Sequence, residues 1–366
     1  MTFVLFILMI GVLIAFHELG HMLAAKAFNI YVSEFAIGFG PKLFSRQGKE
    51  TLYTVRAIPF GGFTAMVEDL PKEQEDSEEE NSSVGEVRKT VPDVDVKRTF
   101  YGVSAFKRII ILLAGPVFNF LMAMVIFVSI FNAVRVKTIY PKPVIEKVTE
   151  NSPAYDAGVM VNDEIIAITY SDGTKVEMET IYDIAVNNSL HKGAYTMTIL
   201  RDGEILEIKV EPIYDEQSKN YMIGVVFAGD ITYQKLTFFE ATWEGIRHTF
   251  ESVYLTVKSI IAMITGRIGL ENVSGIVGMY SITEESLSYG LLSYFSLVGS
   301  ISISLCVMNL IPIPIFDGGR ILMTLLEVIT GRRDEKLESI VLTISMILVL
   351  GLFILITISD IGKLFN

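Results

Sequence analysis

Residues 3–28 read FVLFILMIGVLIAFHELGHMLAAKAF, an apolar run long enough to cross a bilayer as one helix, yet interrupted by His17, Glu18 and His21. Ionisable side chains at that depth cost roughly 2.5–3.5 kcal/mol each to insert, so they normally persist for a functional reason. His17 and His21 stand four residues apart and share a helix face, where two imidazole nitrogens can reach one metal ion. Glu18 lies about 100° round the axis from His17, off the ligating pair but near enough to hold a water beside the metal. A cleaved signal peptide fits the run less well. Ala24-Ala25-Lys26-Ala27 resembles a small-residue cleavage site, but Met1-Thr2 supplies no basic residue and a signal core does not carry three ionisable groups.

The rest of the composition agrees with a membrane setting. The chain has 366 residues, 51% of them hydrophobic, and a mean hydropathy of +0.48, which points to a polytopic membrane protein with aqueous insertions. A net charge of −12 argues against a nucleic-acid partner, and because much of it sits in one loop it says little about substrate. The one cysteine, Cys306, lies in an apolar segment, which excludes an internal disulfide and a cysteine-based zinc site. Histidine occurs only at 17, 21, 191 and 248, so a third ligand to the first pair is expected to be a carboxylate. His191 reads as a surface loop residue.

Taken in order, residues 1–28 are the first span. Residues 29–67 hold three short β-prone runs (31–44, 51–58 and 60–67) punctuated by Gly38-Phe39-Gly40-Pro41, Gln47-Gly48 and Pro59-Phe60-Gly61-Gly62. They predict a membrane-associated β-hairpin element beside the histidines, with an edge that could hold an extended peptide through backbone hydrogen bonds. Residues 68–105 are an acidic cytosolic loop, with Glu73 to Glu80 offering little to bury. Residues 106–134 form the second span. Lys97, Arg98, Lys107 and Arg108 precede its apolar run from Ile109, which makes that flank cytosolic and places the histidine pair toward the cytosolic face. Within this span Asn119 is either interhelical glue or part of the site.

Residues 138–230 read as an aqueous domain on the outer face, with strands at Tyr195 to Leu200, Glu204 to Val210 and Tyr221 to Phe227 and a hairpin turn at Arg201-Asp202-Gly203. In residues 235–285, Glu240, Glu244, Arg247, His248, Glu251 and Lys258 fall on one helical face. They predict an amphipathic interfacial helix followed by a linker, with His248 in its polar stripe. Residues 289–311 are the third span. It ends in Asn309-Leu310-Ile311-Pro312-Ile313-Pro314-Ile315-Phe316-Asp317-Gly318-Gly319-Arg320, where two prolines break the helix. Broken helix at membrane depth is tolerated where it lines a polar cavity. Asp317 is therefore the candidate third ligand, or an N-cap of the next helix, or both. Residues 312–338 comprise this Asp-Gly segment and a cytosolic helix marked by Arg320, Arg332, Arg333 and Lys336, and residues 339–359 are the fourth span. Four spans put the histidine pair and Asp317 near the same membrane face.

Two resemblances follow from these residues. The stretch Val144 to Val148, then Ser152-Pro153-Ala154, Ala157-Gly158-Val159 and Asn162 to Ile168, resembles a PDZ domain. The whole chain is similar to the site-2 proteases, zinc intramembrane metalloproteases, in their bacterial branch with a single PDZ domain. The likeness rests on His17 to His21, Gly38 to Pro41, Pro59 to Phe63, Gly115-Pro116 with Asn119-Phe120, and Asn309-x-x-Pro312-x-Pro314-x-x-Asp317-Gly318. Phe316 stands where that family usually has Leu, and Ile276 where relatives often have Pro.

The resemblance implies Zn2+ held by His17, His21 and Asp317, with Glu18 as the catalytic residue that activates water. It implies Asn309 as a group fixing the substrate backbone or the oxyanion, and a substrate clamp around Gly38, Gly40, Gly61 and Gly62, with Asn119 close by. The expected fold is a polytopic α-helical membrane protein of four transmembrane helices with the β-element and an extracytoplasmic α+β PDZ domain. The expected place is a bacterial plasma membrane, and the expected partners are lipid and single-span membrane substrates trimmed beforehand, such as anti-sigma factors or remnant signal peptides. Rival classes are a catalytically silent PDZ-bearing scaffold and a membrane metal transporter.

Overall fold

Among the residues described in the computed structural model, four helices are long and apolar enough to cross a membrane: α1 (Thr2–Ala27), α2 (Ala105–Val134), a third at Leu291–Leu310 and a fourth within Glu335–Leu364. The structure describes residues 1–67, 94–171, 173–184, 193–215, 220–265 and 274–364. The acidic run 73–80 and His191 lie outside the described residues.

α1 stops where Asn29 takes a left-handed backbone, φ 62°. Its amide and that of Ile30 then bond back to Lys26 and Ala25 at 3.0 and 2.9 Å, a closure that asparagine tolerates better than most residues. The chain leads directly into β1 (Val32–Gln47) and β2 (Leu52–Met66). Three short runs were expected; the second and third are one strand, because the bend at Pro59 to Gly62 turns the backbone without ending its pairing. Both strands fold back on themselves. Phe35 pairs with Thr64 on one side and Tyr53 on the other, Ala36 likewise with Phe63 and Thr54, while Arg46 pairs with Tyr53. The segments therefore lie in the order 42–47, 52–56, 34–37 and 62–66, with 62–66 outermost. Met22, Ala25, Ile30, Val32 and Phe35 join Phe100, Ile111 and Leu112 in the core that holds this element to α1 and α2.

α2 carries Pro116 internally yet runs unbroken for 30 residues. Gly20 lets it approach α1, since a Cβ there would stand 2.3 Å from the Ala114 carbonyl oxygen. The α2 end of this unit also receives a helix at Phe238–Ile264. Gly245 on that helix abuts the Val128 backbone, and Ala123, Phe127, Ile303 and Val307 form the adjacent core with Val253 and Ile260 alongside. His248 was expected on the polar stripe. Instead its ring packs edge-on to Phe127 at 4.7 Å, because its face of the helix is the one turned to α2. A linker was expected up to residue 285, but residues 276–288 are helical. Asp360 explains part of this: its Oδ2 accepts from the amides of Gly275 and Gly278 at 2.7 and 2.9 Å, capping that helix from the fourth span.

The third span ends as the sequence requires. Ile311, before Pro312, is extended at φ −63°, ψ 137°, and a new helix begins at Asp317 and runs to Thr330. Gly318 and Gly319 allow its first turn to fold hard against the break, where any Cβ would meet the carbonyls of Leu310 and Ile313 within 2.3 Å.

The second unit covers Val134–Ala241 and residues 265–268, of which those beyond 265 are not described. Its centre is a four-stranded antiparallel sheet in the spatial order 175–177, 164–170, 195–201, 204–210. Ile145, Ile165, Ile168, Met197 and Ile199 are fully buried in its core. The turn between the last two strands has Asp202 and Gly203 both at positive φ, the type I′ geometry that the Arg201-Asp202-Gly203 sequence predicts. Ser152 caps the short helix Pro153–Asp156 by accepting from the Tyr155 amide. The fully buried Asp163 takes two bonds from the Arg201 guanidinium, each of 2.7 Å.

Candidate metal centre

His17 and His21 are on consecutive turns of α1, and Asp317 is the first residue of the helix after the broken third span. The break brings Asp317 onto the histidine pair. Its Oδ2 lies 3.2 Å from His17 Nε2 and 3.3 Å from His21 Nε2, and the two Nε2 atoms are 3.2 Å apart. The helix is capped at Phe316, with no side-chain cap bond, so the Asp317 carboxylate is directed at the imidazoles and not spent on its own helix end.

These three atoms fit a metal. Zinc takes nitrogen and oxygen ligands at about 2.0–2.1 Å in a tetrahedron, whose edges are then roughly 3.3 Å. The observed separations of 3.2, 3.2 and 3.3 Å match such an edge on all three sides. Asp317 Oδ2 is buried and has no aligned hydrogen bond, so a cation between the three atoms would give it the partner it lacks. Among the described residues this is the one cluster of three or more such donors.

α2 forms one wall. His21 Nδ1 donates to the Ile111 carbonyl at 2.8 Å. Gly115 lies against both rings: a Cβ there would stand 2.3 Å from His21 Nε2 and 2.7 Å from His17 Cε1. Asn119 is fully buried, its side-chain amide 3.4 Å from His17 Nδ1. Its backbone carbonyl accepts from the Ser302 hydroxyl at 2.8 Å, which ties this turn of α2 to the third span.

The β-element forms another wall. Thr64, in the outer segment 62–66, donates to the Glu18 carbonyl at 2.9 Å, and a Cβ at Gly62 would lie 3.3 Å from Glu18 Cγ. Gly38, Gly40 and Gly61 all have positive φ and serve the fold-back turns. Elsewhere in the sheet, burial would raise the Glu34 carboxyl. Hydrogen bonds from Thr54 and Arg56 outweigh it and hold that group below its ordinary range. Asn309 is half-buried one residue before the end of the third span.

Ile111 and Arg108 were not singled out in the sequence as site residues, and Gly115 entered only through family resemblance. Ile111 contributes a backbone carbonyl, which no residue type advertises. Arg108, read as a topology marker, is buried and makes a bidentate ion pair with Glu327 at 2.7 and 2.8 Å. The spacing of Ile111, Gly115 and Asn119 by fours was the available signal.

Apolar helices long enough to span a bilayer, with two histidines and an aspartate converging among them, fit a membrane protein with a three-donor metal site. The comparisons place it further: residues 5–352 match the model of peptidase family M50, and the chain belongs to that family. A Clostridium acetobutylicum protein provisionally named a zinc metalloprotease is 32% identical over 360 residues, covering 98% of this chain and 96% of the relative. The regulator of sigma-W protease RasP of Bacillus subtilis is 30% identical over 427 residues, covering 100% and 99%. The zinc metalloprotease RasP of Oceanobacillus iheyensis is 30% identical over 431 residues, with the same coverage. The chain is thus a zinc-dependent intramembrane endopeptidase of the RasP-like branch.

Proposed function

We propose that His17, His21 and Asp317 hold the zinc and that Glu18 is the general base of peptide hydrolysis. The convergence of three donor atoms at tetrahedral-edge separations carries this reading. Zinc, when bound, lowers the pKa of water and polarises a carbonyl. Glu18, one residue from His17 on the helix but off the ligating face, takes the proton of the attacking water and passes it to the departing amine. A helical substrate hides its amides in its own hydrogen bonds, so it must unwind before it is cut. The outer segment 62–66 of the β-element runs beside Glu18 and offers backbone groups to an extended chain, offsetting the bonds lost. Gly38, Gly40, Gly61 and Gly62 shape that edge, and Asn309 helps fix the substrate backbone or the oxyanion.

The basic residues Lys97, Arg98, Lys107, Arg108, Arg320, Arg332, Arg333 and Lys336 support a cytosolic placing of the site in a bacterial plasma membrane. The second unit is then an extracytoplasmic PDZ domain that filters substrates by size. Its Ser152-capped helix and central antiparallel sheet support that reading. The substrates are single-span proteins already trimmed by another protease, anti-sigma factors or remnant signal peptides; the sigma-W regulator among the relatives supports the former.

The test is cleavage of a single-span substrate by detergent-solubilised protein. Glu18→Gln should keep its zinc and lose activity by about 10²–10⁴-fold; a chelator should abolish cleavage in the wild type. Undiminished turnover by Glu18→Gln, or zinc retained by both His17→Ala and Asp317→Ala, would overturn the assignment.

A further inference from the structure

The two imidazoles meet a single face of α2, on which Ile111, Gly115 and Asn119 follow at intervals of four. At the first position the proton is fixed by chemistry. A carbonyl can only accept, so the 2.8 Å contact with Ile111 puts the proton of His21 on Nδ1 and leaves Nε2 a lone pair for a metal. At the second position Gly115 lets α2 pass close beneath both rings.

The third position poses the same problem for His17. Its Nε2 is the atom that faces Asp317 and His21, so a ligating Nε2 requires the proton on Nδ1. Asn119 faces that Nδ1 with Nδ2 at 3.4 Å, while its Oδ1 is buried without a partner. Two N–H donors cannot face each other. A half-turn of the carboxamide exchanges its oxygen and nitrogen almost in place and sets an acceptor against Nδ1. The backbone that carries this side chain is held by the Ser302 hydroxyl on the third span.

We propose that Asn119 is a positioning residue whose Oδ1 accepts from His17 Nδ1–H, fixing the tautomer that presents Nε2 to zinc. With Ile111 serving His21, α2 then sets both imidazoles from behind. The inference rests on His17 and Asp317 being zinc ligands, and the experiment separates the two assignments.

Zinc affinity is measured by competition with a chromophoric chelator on the full chain in detergent, for the wild type, Asn119→Leu, Asn119→Asp, His17→Ala and Asp317→Ala. Asn119→Leu keeps the size and removes the acceptor, so affinity should fall about 10–100-fold. Asn119→Asp keeps an acceptor and should bind zinc at least as tightly as the wild type. Should Asn119→Leu fail to fold, histidine NMR on zinc-loaded wild type and Asn119→Asp reads the bond directly. The His17 Nδ1 proton should move downfield when a carboxylate replaces the amide. If His17→Ala and Asp317→Ala keep their zinc, the ligand assignment fails and this inference with it. If those two lose zinc while Asn119→Leu binds like the wild type, or if the Nδ1 proton does not move, the positioning role alone is overturned.

Discussion

Replacing Gly115 by alanine adds one methyl at the point where α2 lies against the two imidazoles. That carbon would stand 2.3 Å from His21 Nε2 and 2.7 Å from His17 Cε1, against an ordinary contact limit of 3.4 Å. The rings or the helix must therefore yield by 1.1 Å at the first contact, the difference of 3.4 and 2.3 Å. Metal ligands tolerate displacements of about 0.2 Å, so the histidines cannot yield that far and still bind zinc as a pair. The His21–Ile111 bond resists rotation on one side, and Gly20 against Ala114 leaves α1 no slack on the other. Helix propensity works in the opposite direction, since alanine in a helix is favoured over glycine by about 1 kcal/mol. Gly115→Ala should thus remain folded while losing zinc affinity and cleavage by about 10²-fold or more. Gly11→Ala, the same change in α1 with nothing within 4 Å, is the control and should bind and cleave normally. Zinc content after dialysis, together with single-span cleavage, reads both. Full zinc occupancy and wild-type turnover in Gly115→Ala would show that α2 does not shape this centre.

Other consequences are local. The Arg108 guanidinium holds the Glu327 carboxyl below its ordinary range, so the folded protein favours the charged form. That stabilisation is complete above the ordinary glutamate pKa, about 4.3, and is lost as pH falls through the depressed folded value. The wild type's melting temperature should therefore drop more steeply on acidification than that of Glu327→Gln. At neutral pH the variant should lose roughly 1–2 kcal/mol, less than a fully buried pair because Glu327 keeps solvent contact. Arg201→Leu strands the fully buried Asp163 carboxylate and should cost the second unit about 3 kcal/mol, read by thermal unfolding, with zinc content unchanged. Asp360→Ala uncovers the amides of Gly275 and Gly278 and should cost about 1 kcal/mol, again without touching zinc.

What the chain discloses in one dimension depends on whether the information lies in side-chain type or in backbone geometry. The four spans are legible because each is a long, predominantly apolar run, and the convergence of His17, His21 and Asp317 is legible because charge at membrane depth is conspicuous. The β-element is only half legible. Alternation marks its runs, but nothing in it says that residues 34–37 pair on both sides, a consequence of two strands folding back at the glycine bends. The helix at 276–288 is hidden for another reason: its cap comes from Asp360, more than 80 residues away. His248 misleads because a polar stripe counted on a helical wheel takes no account of a neighbouring phenylalanine pair.

The wall behind the metal site carries this argument furthest. α1 carries the two imidazoles and the carboxylate proposed as ligands and base within five residues, but a free helix lets each imidazole rotate and choose either tautomer. Behind the rings, on the side away from the reacting water, α2 is the wall against which each Nδ1 finds a partner. α2 meets that need with a backbone carbonyl, an absent side chain and an amide, set four residues apart. Only the last of these has a side chain that a reader of the sequence would suspect, and Asn119 was equally readable as glue. The Pro116 imide between them lacks the amide that would bond Leu112, which loosens the turn whose neighbouring carbonyl receives His21. A helix that carries this proline and still runs unbroken for 30 residues can face two rings along one side. On this account Gly115-Pro116 with Asn119 belongs to the metal centre as fully as the histidines do.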